Sequence, residues 1–427
     1  MKPEMQALMG MMLMAGLGGG AQAATLDQEL AAVAADAAMP LASLSVLAVR
    51  NGKVAYQYQT GQRRLGDAPL PATAETMYRI ASVSKMMTTF GVMKLVEQGK
   101  LALDADAGAY LGYPLRNPAF PDRPITLRML LTHTSTLRDG AGYFWPAGVS
   151  IRDKLSGNPD GMWSAEAAPG AYFSYCNLNW GVIGTIMEKV SGERFDHLMR
   201  RLLLTPMGLR GGYNPSEFST AELADVATLY RKRAVDSEDW NPAGPWIAQV
   251  DDYSVRPPAA PAGIASYVIG SNGTLFSPTG GLRISASDLG KVMLMLIHGG
   301  RHRESQILQP ATIALMFSQQ WVYSGSNGDT YRGLYHSWGL GAQRFDDTAG
   351  QGNRLVEGGG FSAAGHLGEA YGLISTFVFD LSSGNGMVSL IGGTGADPDR
   401  HPGKYSAMTR SEERILTALY RRAILGQ

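Results

Sequence analysis

The chain has 427 residues, of which 45% are hydrophobic, and it carries 37 basic and 37 acidic residues. This composition is typical of a soluble globular protein, and the length suffices for one large domain or two that share an interface. A formal net charge of zero gives no electrostatic reason to bind nucleic acid or an anionic membrane surface. The single cysteine, Cys176, excludes an internal disulfide.

The N-terminus has the pattern of a secretory signal peptide over residues 1–23. Lys2 supplies a positive charge, residues 7–17 form an apolar core, and Ala21-Gln22-Ala23 offers small residues for cleavage near Ala23. We therefore predict a periplasmic or secreted protein; the alternative is an apolar N-terminal helix that stays attached. No later segment reaches the ~20 continuous apolar residues of a transmembrane helix, so we expect no stable membrane span after cleavage.

The first part of the mature chain combines a helix with an antiparallel hairpin. A helical pattern covers residues 26–38, and strands at 44–50 and 54–59 flank Asn51-Gly52, which is a strong turn signal. The chain is then mostly helical up to about residue 210. The helices are predicted at 86–98, 128–132, 179–191 and 197–204.

Residues 211–280 are irregular, with helical spacing only at 221–232. A loop-rich excursion of this length usually covers a site or forms a peripheral subdomain. Helices at 287–298 and 309–317 follow, and an amphipathic helix at 410–425 closes the chain. Between them, strands are predicted at 338–345, 365–367, 373–380 and 387–391.

This order of elements predicts an α+β fold. Strands from both ends of the chain join in one antiparallel sheet flanked by helices, and the middle of the chain forms a mainly helical lobe. After the signal peptide we expect one domain over residues 24–427, with a cleft between its lobes where ligand sites tend to form. Its parts are an α/β lobe (about 24–80 and 280–427), a helical lobe (about 81–210) and the loop-rich excursion (about 211–280).

Ser82-Val83-Ser84-Lys85 opens one of the predicted helices. Positions i and i+3 of a helix share a face, so the Ser82 hydroxyl and the Lys85 ammonium group lie within hydrogen-bond reach. A serine nucleophile needs such a neighbour to take its proton. Four-residue patterns are also frequent by chance, so a catalytic interpretation depends on the rest of the chain.

Two further segments carry side chains suited to the same chemistry. In Tyr175-Cys176-Asn177, the tyrosine would carry a proton if a nearby cation lowered its pKa from about 10. The Asn177 amide can donate to a substrate carbonyl and accept from Lys85. In Gly365-His366-Leu367-Gly368, the small flanking residues admit a substrate backbone, and His366 would hydrogen-bond into the cleft.

Together these segments resemble the serine β-lactamase and penicillin-binding-protein superfamily on its class C side, which includes D,D-peptidases, D-aminopeptidases and β-lactamase-like esterases. Ser82 to Lys85 resembles the family's Ser-x-x-Lys, Tyr175 and Asn177 its Tyr-x-Asn, and residues 365–368 the His-x-Gly form of its third motif. The framework segments 99–104, 130–135, 206–209 and 280–289 are similar as well. The resemblance therefore runs from about residue 45 to 395.

The resemblance implies a β-lactamase/D,D-peptidase-like fold with the active site in the cleft, and a serine hydrolase domain over residues 24–427. Ser82 is then the nucleophile that forms an acyl-enzyme, and Lys85 and Tyr175 share the proton transfers in a way that the sequence leaves open. The backbone N–H groups of Ser82 and Glu369 would form the oxyanion hole. The predicted substrate-binding residues are Asn177, His366, Gly368 and Glu369.

Three residues depart from the family pattern, and two of them, His366 and Glu369, bear on the substrate. Thr136 stands where the family usually has glycine, and His366 replaces the lysine of a dedicated β-lactamase. Glu369 places a carboxylate near the oxyanion region, which disfavours anionic substrates.

No cofactor and no metal are predicted: His-Glu-x-x-His is missing from the sequence, and Gly299 and Gly300 break the helix between His298 and His302. Gly-x-Ser-x-Gly is missing as well, which argues against the nucleophile elbow of an α/β-hydrolase.

Three functions stay open at this point. The first is hydrolysis of an amide, either a β-lactam or a D-alanyl peptide, and the predicted export favours it. The second is a carboxylesterase on the same fold, which the histidine at position 366 favours. The third is a penicillin-binding protein that is acylated and does not turn over. In each case the partner is a small molecule or a peptide, and no nucleic acid is expected.

Overall fold

The computed structural model describes residues 24–157 and 160–427. The predicted signal peptide, residues 1–23, therefore lies outside the described residues. Within the part of the chain that the structure describes, no helix has both the length and the apolar character needed to cross a membrane.

The strands and helices alternate irregularly along the chain. The strands are β1 (Ser43–Arg50), β2 (Lys53–Arg64), β3 (Leu70–Pro71), β4 (Met77–Arg79), β5 (Leu229–Arg231), β6 (Ile247–Val250), β7 (Arg283–Ser285), β8 (Arg301–His302), β9 (Ser305–Gln306), β10 (Trp321–Val322), β11 (Ser337–Trp338), β12 (Gln343–Phe345), β13 (Ala363–Ala370), β14 (Leu373–Asp380), β15 (Asn385–Ile391) and β16 (Gly393–Thr394). The helices are α1 (Leu26–Ala34), α2 (Val83–Glu97), α3 (Ala107–Leu111), α4 (Leu127–Leu131), α5 (Ile151–Ser156), α6 (Leu178–Ser191), α7 (Phe195–Met199), α8 (Thr220–Asp225), α9 (Ala286–Ile297), α10 (Pro310–Phe317) and α11 (Arg410–Ala418).

A nine-stranded antiparallel sheet organises the fold, in the order β10-β11-β12-β13-β14-β15-β1-β2-β3. The N-terminal strand β1 lies between its hairpin partner β2 and the C-terminal strand β15, and Val46 pairs with both Tyr58 and Ser389. Strands from the two ends of the chain thus share one sheet. This confirms the α+β fold predicted from the sequence.

Both faces of the sheet are covered, as the side chains of β1 show. Leu44, Val46 and Ala48 belong to a core shared with α1 and α11, whereas Leu47 and Val49 belong to the larger core that contains α2, α6 and α9. Successive side chains of a strand point to opposite faces, so each face of β1 needs its own apolar partners. The result is helix, sheet and helix in three layers.

Helix α2 lies at the centre of the larger core and is buried on nearly all sides, including Ser84, Lys85 and Thr88. The predicted amphipathic helix therefore has almost no solvent-facing side. It ends before Gly99, whose φ of 70° is left-handed and favours glycine. The position of α2 brings its first turn to the edge of β13.

Three predicted elements differ from the structure. Residues 338–345 form two short strands, β11 and β12, because Gly341 turns the chain with a φ of 62°. Residues 221–232 are helical only through Asp225; the Ala227 N–H then donates to the Met77 carbonyl (2.8 Å), and β5 follows. The C-terminal helix changes after Ala418 into a wider π-helical segment, Leu419–Leu425.

Candidate active site

The first turn of α2, the start of α6 and the edge of β13 meet at a cleft of about 710 Å³. Five of the seven predicted site residues line it: Ser82, Tyr175, Asn177, Gly368 and Glu369. Lys85 lies directly beneath Ser82 and is fully buried. His366 is buried as well and does not line the cleft.

Ser82 is the residue at which α2 begins. The residue before it, Ala81, has a φ of 45°, a left-handed conformation that is uncommon for a residue with a Cβ and is found mainly where the surrounding structure enforces it. Ser84, the other serine of the motif, faces away and accepts a hydrogen bond from the Leu282 N–H (3.1 Å). The backbone thus presents Ser82, and not Ser84, to the cleft.

Lys85 Nζ lies within hydrogen-bond distance of three oxygens. They are Ser82 Oγ (2.9 Å), Asn177 Oδ1 (2.7 Å) and the Thr279 carbonyl (3.0 Å). Burial lowers the pKa of Lys85 to about 7, while Asp139 and Cys176 act in the opposite direction. An amine with such a pKa is neutral in a large fraction of molecules near neutral pH and is then able to accept a proton.

Tyr175 lies over Lys85, whose Nζ is 4.9 Å from the centre of the phenol ring. Burial raises the pKa of Tyr175 well above its ordinary value; Tyr335 adds to the rise, and a hydrogen bond with Ser82 opposes it. The phenol is therefore protonated at rest. A cation that lowers its pKa to neutrality, as the sequence analysis considered, is not what the buried environment provides.

The backbone and ring of Tyr175 are held by His133. The His133 carbonyl accepts from the Ser174 N–H (2.9 Å), and its Nδ1 accepts from the Cys176 N–H (2.9 Å). The two rings stack with centroids 4.4 Å apart. Burial lowers the pKa of His133 well below its ordinary value, so the imidazole is neutral and Nδ1 is free to accept.

Asp139 is a site residue that the sequence analysis did not identify. Its carboxylate accepts from the Asn177 N–H (2.9 Å), the Asn177 amide (2.8 Å) and the Leu178 N–H (2.9 Å), and it contacts Cys176 Sγ (3.3 Å). These donors are at the N-terminus of α6, where an anion is stabilised. Asp139 thereby turns Asn177 Oδ1 toward Lys85 and Thr279 Oγ1 (2.9 Å).

Strand β13 brings its edge to Ser82. β12 pairs only with Ala363–Gly365 of this strand, so the edge from His366 onward is not paired with β12. A Cβ added at Gly368 would lie 2.8 Å from both the Ser82 nitrogen and the Ile80 carbonyl oxygen. This contact requires glycine at position 368 and places the backbone of the next residue, Glu369, near Ser82.

His366 lies behind the cleft wall. Its ring is 3% exposed, with Nδ1 2.5 Å from the Leu367 carbonyl oxygen, and it contacts the rings of Trp338 and Tyr175 edge-on. Burial, with a contribution from Lys85, lowers its pKa to about 3. The structure thus places a neutral imidazole beneath Tyr175, and the predicted hydrogen bond of His366 to a substrate stays a prediction.

Outside the cleft, one group of side chains has the composition of a metal site. Ligand atoms of Asp196, His197 and Glu217 lie within 4.8 Å of one another. The Arg194 guanidinium group donates to Asp196 Oδ2 (2.7 Å), lies 2.7 Å from His197 Nε2 and also contacts Glu217. An arginine thus already supplies the positive charge between these ligands.

A comparison with known protein families shows which family the chain belongs to. A family model described as Beta-lactamase matches residues 29–408. The chain belongs to the Beta-lactamase family. This confirms the resemblance derived from the three short motifs and their framework segments.

Curated relatives of this Beta-lactamase family member include an esterase and a peptidase. The chain is 32% identical over 181 residues to Esterase EstB of Burkholderia gladioli, covering 38% of this chain and 45% of that protein. It is 30% identical over 165 residues to D-alanyl-D-alanine-carboxypeptidase/endopeptidase AmpH of Escherichia coli strain K12, covering 36% and 41%. Each match thus spans less than half of the relative's own length.

A solved structure of similar shape supports the fold. EstCE1, described as a hydrolase with promiscuous acyltransferase activity, superposes with a TM-score of 0.65 and 23% sequence identity. The superposition covers 92% of this chain and 98% of that protein. The β-lactamase-like architecture therefore extends over nearly the whole described chain.

Proposed function

We propose that this chain is an exported serine hydrolase that works through an acyl-enzyme on Ser82. The observation that carries the proposal is the 2.9 Å contact between Lys85 Nζ and Ser82 Oγ in a buried setting that lowers the pKa of Lys85 to about 7. Membership of the Beta-lactamase family supports it. Export is supported by the signal-like pattern of residues 1–23.

The hydrogen bonds of Lys85 favour this residue as the base. Asn177 Oδ1 and the Thr279 carbonyl can only accept, so they take the two N–H groups of a neutral amine. The lone pair is then left for the Ser82 hydroxyl. As Ser82 Oγ bonds to the substrate carbonyl carbon, its proton passes to Lys85 Nζ.

Tyr175 is suited to the opposite role. Its phenol is protonated at rest, so it can donate to the leaving group as the bond from the carbonyl carbon breaks, and the proton on Lys85 restores it. Water then attacks the acyl-enzyme, giving a carboxylic acid and free Ser82. The N–H groups of Ser82 and Glu369 would stabilise the oxyanion in both steps, at about 3 kcal/mol for each donor.

A carboxylic ester is the substrate class that the cleft supports best. The cleft that Ser82 lines also carries the carboxyl groups of Glu369 and Glu412, and His366 supplies no positive charge to it. A substrate with a carboxylate beside the scissile bond meets repulsion there. Tyr143, Phe144 and Tyr371 line the cleft as exposed aromatic side chains, which suits an apolar acyl group. EstB, the relative named above, is an esterase.

A D-alanyl peptide or β-lactam is the second candidate, and Arg79 favours it. This arginine lines the cleft, with Nε donating to the Gly280 carbonyl (3.2 Å) and the guanidinium carbon 4.9 Å from the ring centre of Tyr371. A guanidinium group is the usual partner of a carboxylate, which both substrate types carry. The peptidase AmpH is also among the relatives.

One assay separates the candidates. The purified protein is incubated with p-nitrophenyl butyrate, a D-Ala-D-Ala peptide and nitrocefin, and product release is followed with mass spectrometry of the Ser82 peptide. We expect turnover of the ester and no stable adduct. Turnover of the peptide or of nitrocefin at a higher rate would replace the ester by the second candidate. A lasting nitrocefin adduct without turnover of any substrate would make the protein a penicillin-binding protein without hydrolase activity.

A further inference from the structure

Glu369 presents a carboxylate at the same cleft that Ser82 lines. It follows Gly368, the residue whose backbone lies against the Ser82 nitrogen. Its side chain is solvent-accessible in the cleft and has neither a hydrogen bond nor an ion pair with any residue that the structure describes. Since nothing in this wall pairs with it, the carboxylate is available to a ligand.

Glu412 contributes a second carboxylate from α11 to the same cleft. Its Oε2 accepts from the N–H and the hydroxyl of Thr409 (both 2.8 Å), which fixes the side chain at the start of the helix. Its other oxygen, Oε1, has no donor among the described residues, although the side chain is only 6% exposed and lines the cleft. This oxygen is accessible from the cleft and can accept a hydrogen bond from a ligand or lie beside its positive charge.

The charges around these two residues leave the wall acidic. Burial raises the pKa of Glu412 to about 7, and Glu369 raises it further despite the Thr409 hydrogen bonds. Burial also raises the pKa of Glu369, with Asp397 and Asp399 acting in the same direction against Arg231 and Arg332. Arg332 itself lies 3.6 Å from Asp399. Both carboxyl groups therefore hold a proton more readily than a free glutamate does, and a cation bound beside them would favour their charged form.

Two aromatic rings complete the wall. Tyr331 and Tyr335 both line the cleft, and their rings stack with centroids 6.0 Å apart. The face of a tyrosine ring attracts ammonium groups, and carboxylates next to aromatic rings are a general means of binding them. We call Glu369, Glu412, Tyr331 and Tyr335 the acidic wall.

The acidic wall is connected to Tyr175 through stacked aromatic rings. Tyr335 stacks in parallel on Tyr175 with ring centroids 5.5 Å apart, and burial raises the pKa of Tyr335, with smaller contributions from Tyr331 and Glu369. Tyr175 is the residue that donates the proton to the leaving group in the proposed mechanism. In that mechanism, a leaving group that takes its proton from Tyr175 would extend toward Tyr335 and the acidic wall.

We propose that the acidic wall binds an ammonium group carried by the leaving group of the substrate. The inference rests on the proposed acyl-enzyme mechanism and adds the substrate class: esters or thioesters of amino alcohols or aminothiols, with primary or quaternary nitrogen. A leaving group with a carboxylate, such as a C-terminal D-alanine, is disfavoured at the same place.

Three thioesters with one acyl group test the proposal. They are butyrylthiocholine, its uncharged dimethylbutyl isostere and S-butyryl mercaptopropionate, and each releases a thiol that a chromogenic thiol reagent detects. Cys176, the only cysteine of the chain, is fully buried and contributes no rapid background. We expect kcat/KM for butyrylthiocholine to exceed that of the isostere about tenfold and that of the anionic thioester by more.

The variants Glu369→Gln and Glu412→Gln identify the residues responsible. The amide introduced by Glu412→Gln keeps an acceptor oxygen for Thr409, and the two variants change different elements, so a folding defect in one leaves the other informative. The readout is the ratio of the three kcat/KM values within each variant, which does not depend on absolute activity. Both variants should reduce the preference for the cation at least threefold, and Glu304→Gln, an exposed carboxylate far along the chain, should keep it.

The outcomes separate this proposal from the proposed function. Equal rates for all three thioesters, a preference for the anion, or a cation preference that survives both variants would overturn the role of the acidic wall. Loss of every turnover in Ser82→Ala tests the acyl-enzyme instead. If wild-type protein hydrolyses none of the thioesters, calorimetric titration of Ser82→Ala with the same three compounds decides: tighter binding of the cation supports the acidic wall, and equal or weaker binding overturns it.

Discussion

The two walls of the cleft differ in how far their polar groups are satisfied. On the wall that carries Ser82, Lys85 Nζ contacts three oxygens and the Asp139 carboxylate accepts three N–H groups. On the acidic wall, Glu369 has no partner among the described residues, and Glu412 uses a single oxygen. On the Ser82 wall these polar groups bond to one another, whereas on the acidic wall carboxyl oxygens are left for a ligand.

This difference suits the Ser82 wall to the proposed reaction and the acidic wall to the selection of the substrate. Proton transfer at Ser82 needs groups held within a few tenths of an ångström, and the hydrogen bonds around Lys85 and Asp139 provide that rigidity. Choosing a substrate needs groups that have no better partner inside the protein. Changes on the Ser82 wall should therefore reduce the rate for all substrates alike, whereas changes on the acidic wall should alter the ratio between them.

The largest loss is expected from Lys85→Met. The variant removes the base and leaves the Ser82 hydroxyl without an acceptor for its proton, so kcat/KM for p-nitrophenyl butyrate should fall about a thousandfold or more. Lys100→Met, an exposed lysine just after α2, is the matched control and should retain wild-type activity. A loss in Lys85→Met of less than tenfold would show that another group takes the proton.

Gly368→Ala should cost about a hundredfold in kcat/KM, because a Cβ there lies 2.8 Å from the Ser82 nitrogen and 2.5 Å from Ser375 Oγ. The forced shift should also reduce the free energy of unfolding by about 1–3 kcal/mol, measured by urea denaturation. Gly148→Ala is the matched control, since its added Cβ has no neighbour within 4 Å. Wild-type kinetics in Gly368→Ala would contradict the close approach of β13 to Ser82.

The rate should depend on the protonation of Lys85. The pKa of Lys85, about 7, is well below that of an ordinary lysine. In the proposed mechanism only the neutral amine accepts the Ser82 proton. As the pH falls through 7, the amine becomes charged, so kcat/KM should fall about tenfold per pH unit below that value. A profile that stays flat down to pH 5 would contradict Lys85 as the base.

Asp139→Asn should have the smallest effect on rate, about tenfold, and a distinctive effect on the pH profile. Asp139 raises the pKa of Lys85, so its neutralisation lowers that pKa and moves the acidic limb to lower pH. The profiles of wild type and variant are compared directly, with Asp122→Asn, an exposed residue, as control. An unchanged acidic limb would mean that Asp139 acts only through the position of Asn177, and a shift to higher pH would contradict the account.

The sequence predicted the Ser82 wall better than the acidic wall, for a physical reason. The i to i+3 spacing of Ser82 and Lys85 is a property of any helix, and Tyr175 and Asn177 lie directly before α6 in a short recognisable motif. Asp139 has no such signal: it is 38 residues away from Asn177 in sequence and reaches it only through the tertiary fold.

Two other features were beyond sequence reasoning for related reasons. His366 lies on strand β13, whose side chains alternate between two faces that both contact protein. The alternation therefore does not tell which side chains reach the cleft. Glu412 follows Thr409 by three residues and is fully explained as part of a capping box, which conceals its second oxygen at the cleft. The sequence predicted one strand over residues 338–345, whereas the structure has a turn at Gly341. This left-handed glycine lies among apolar residues, so the sequence pattern does not reveal the turn.

Mass spectrometry of the Ser82 peptide during ester turnover tests the central proposal most directly. Wild-type protein is mixed with p-nitrophenyl butyrate, quenched with acid before the substrate is consumed and digested, with Ser82→Ala treated in parallel. The acyl-enzyme mechanism predicts one butyryl group on Ser82 in the wild type, and neither the adduct nor turnover in the variant. Continued turnover by Ser82→Ala, or a butyryl group on a different residue during wild-type turnover, would contradict it.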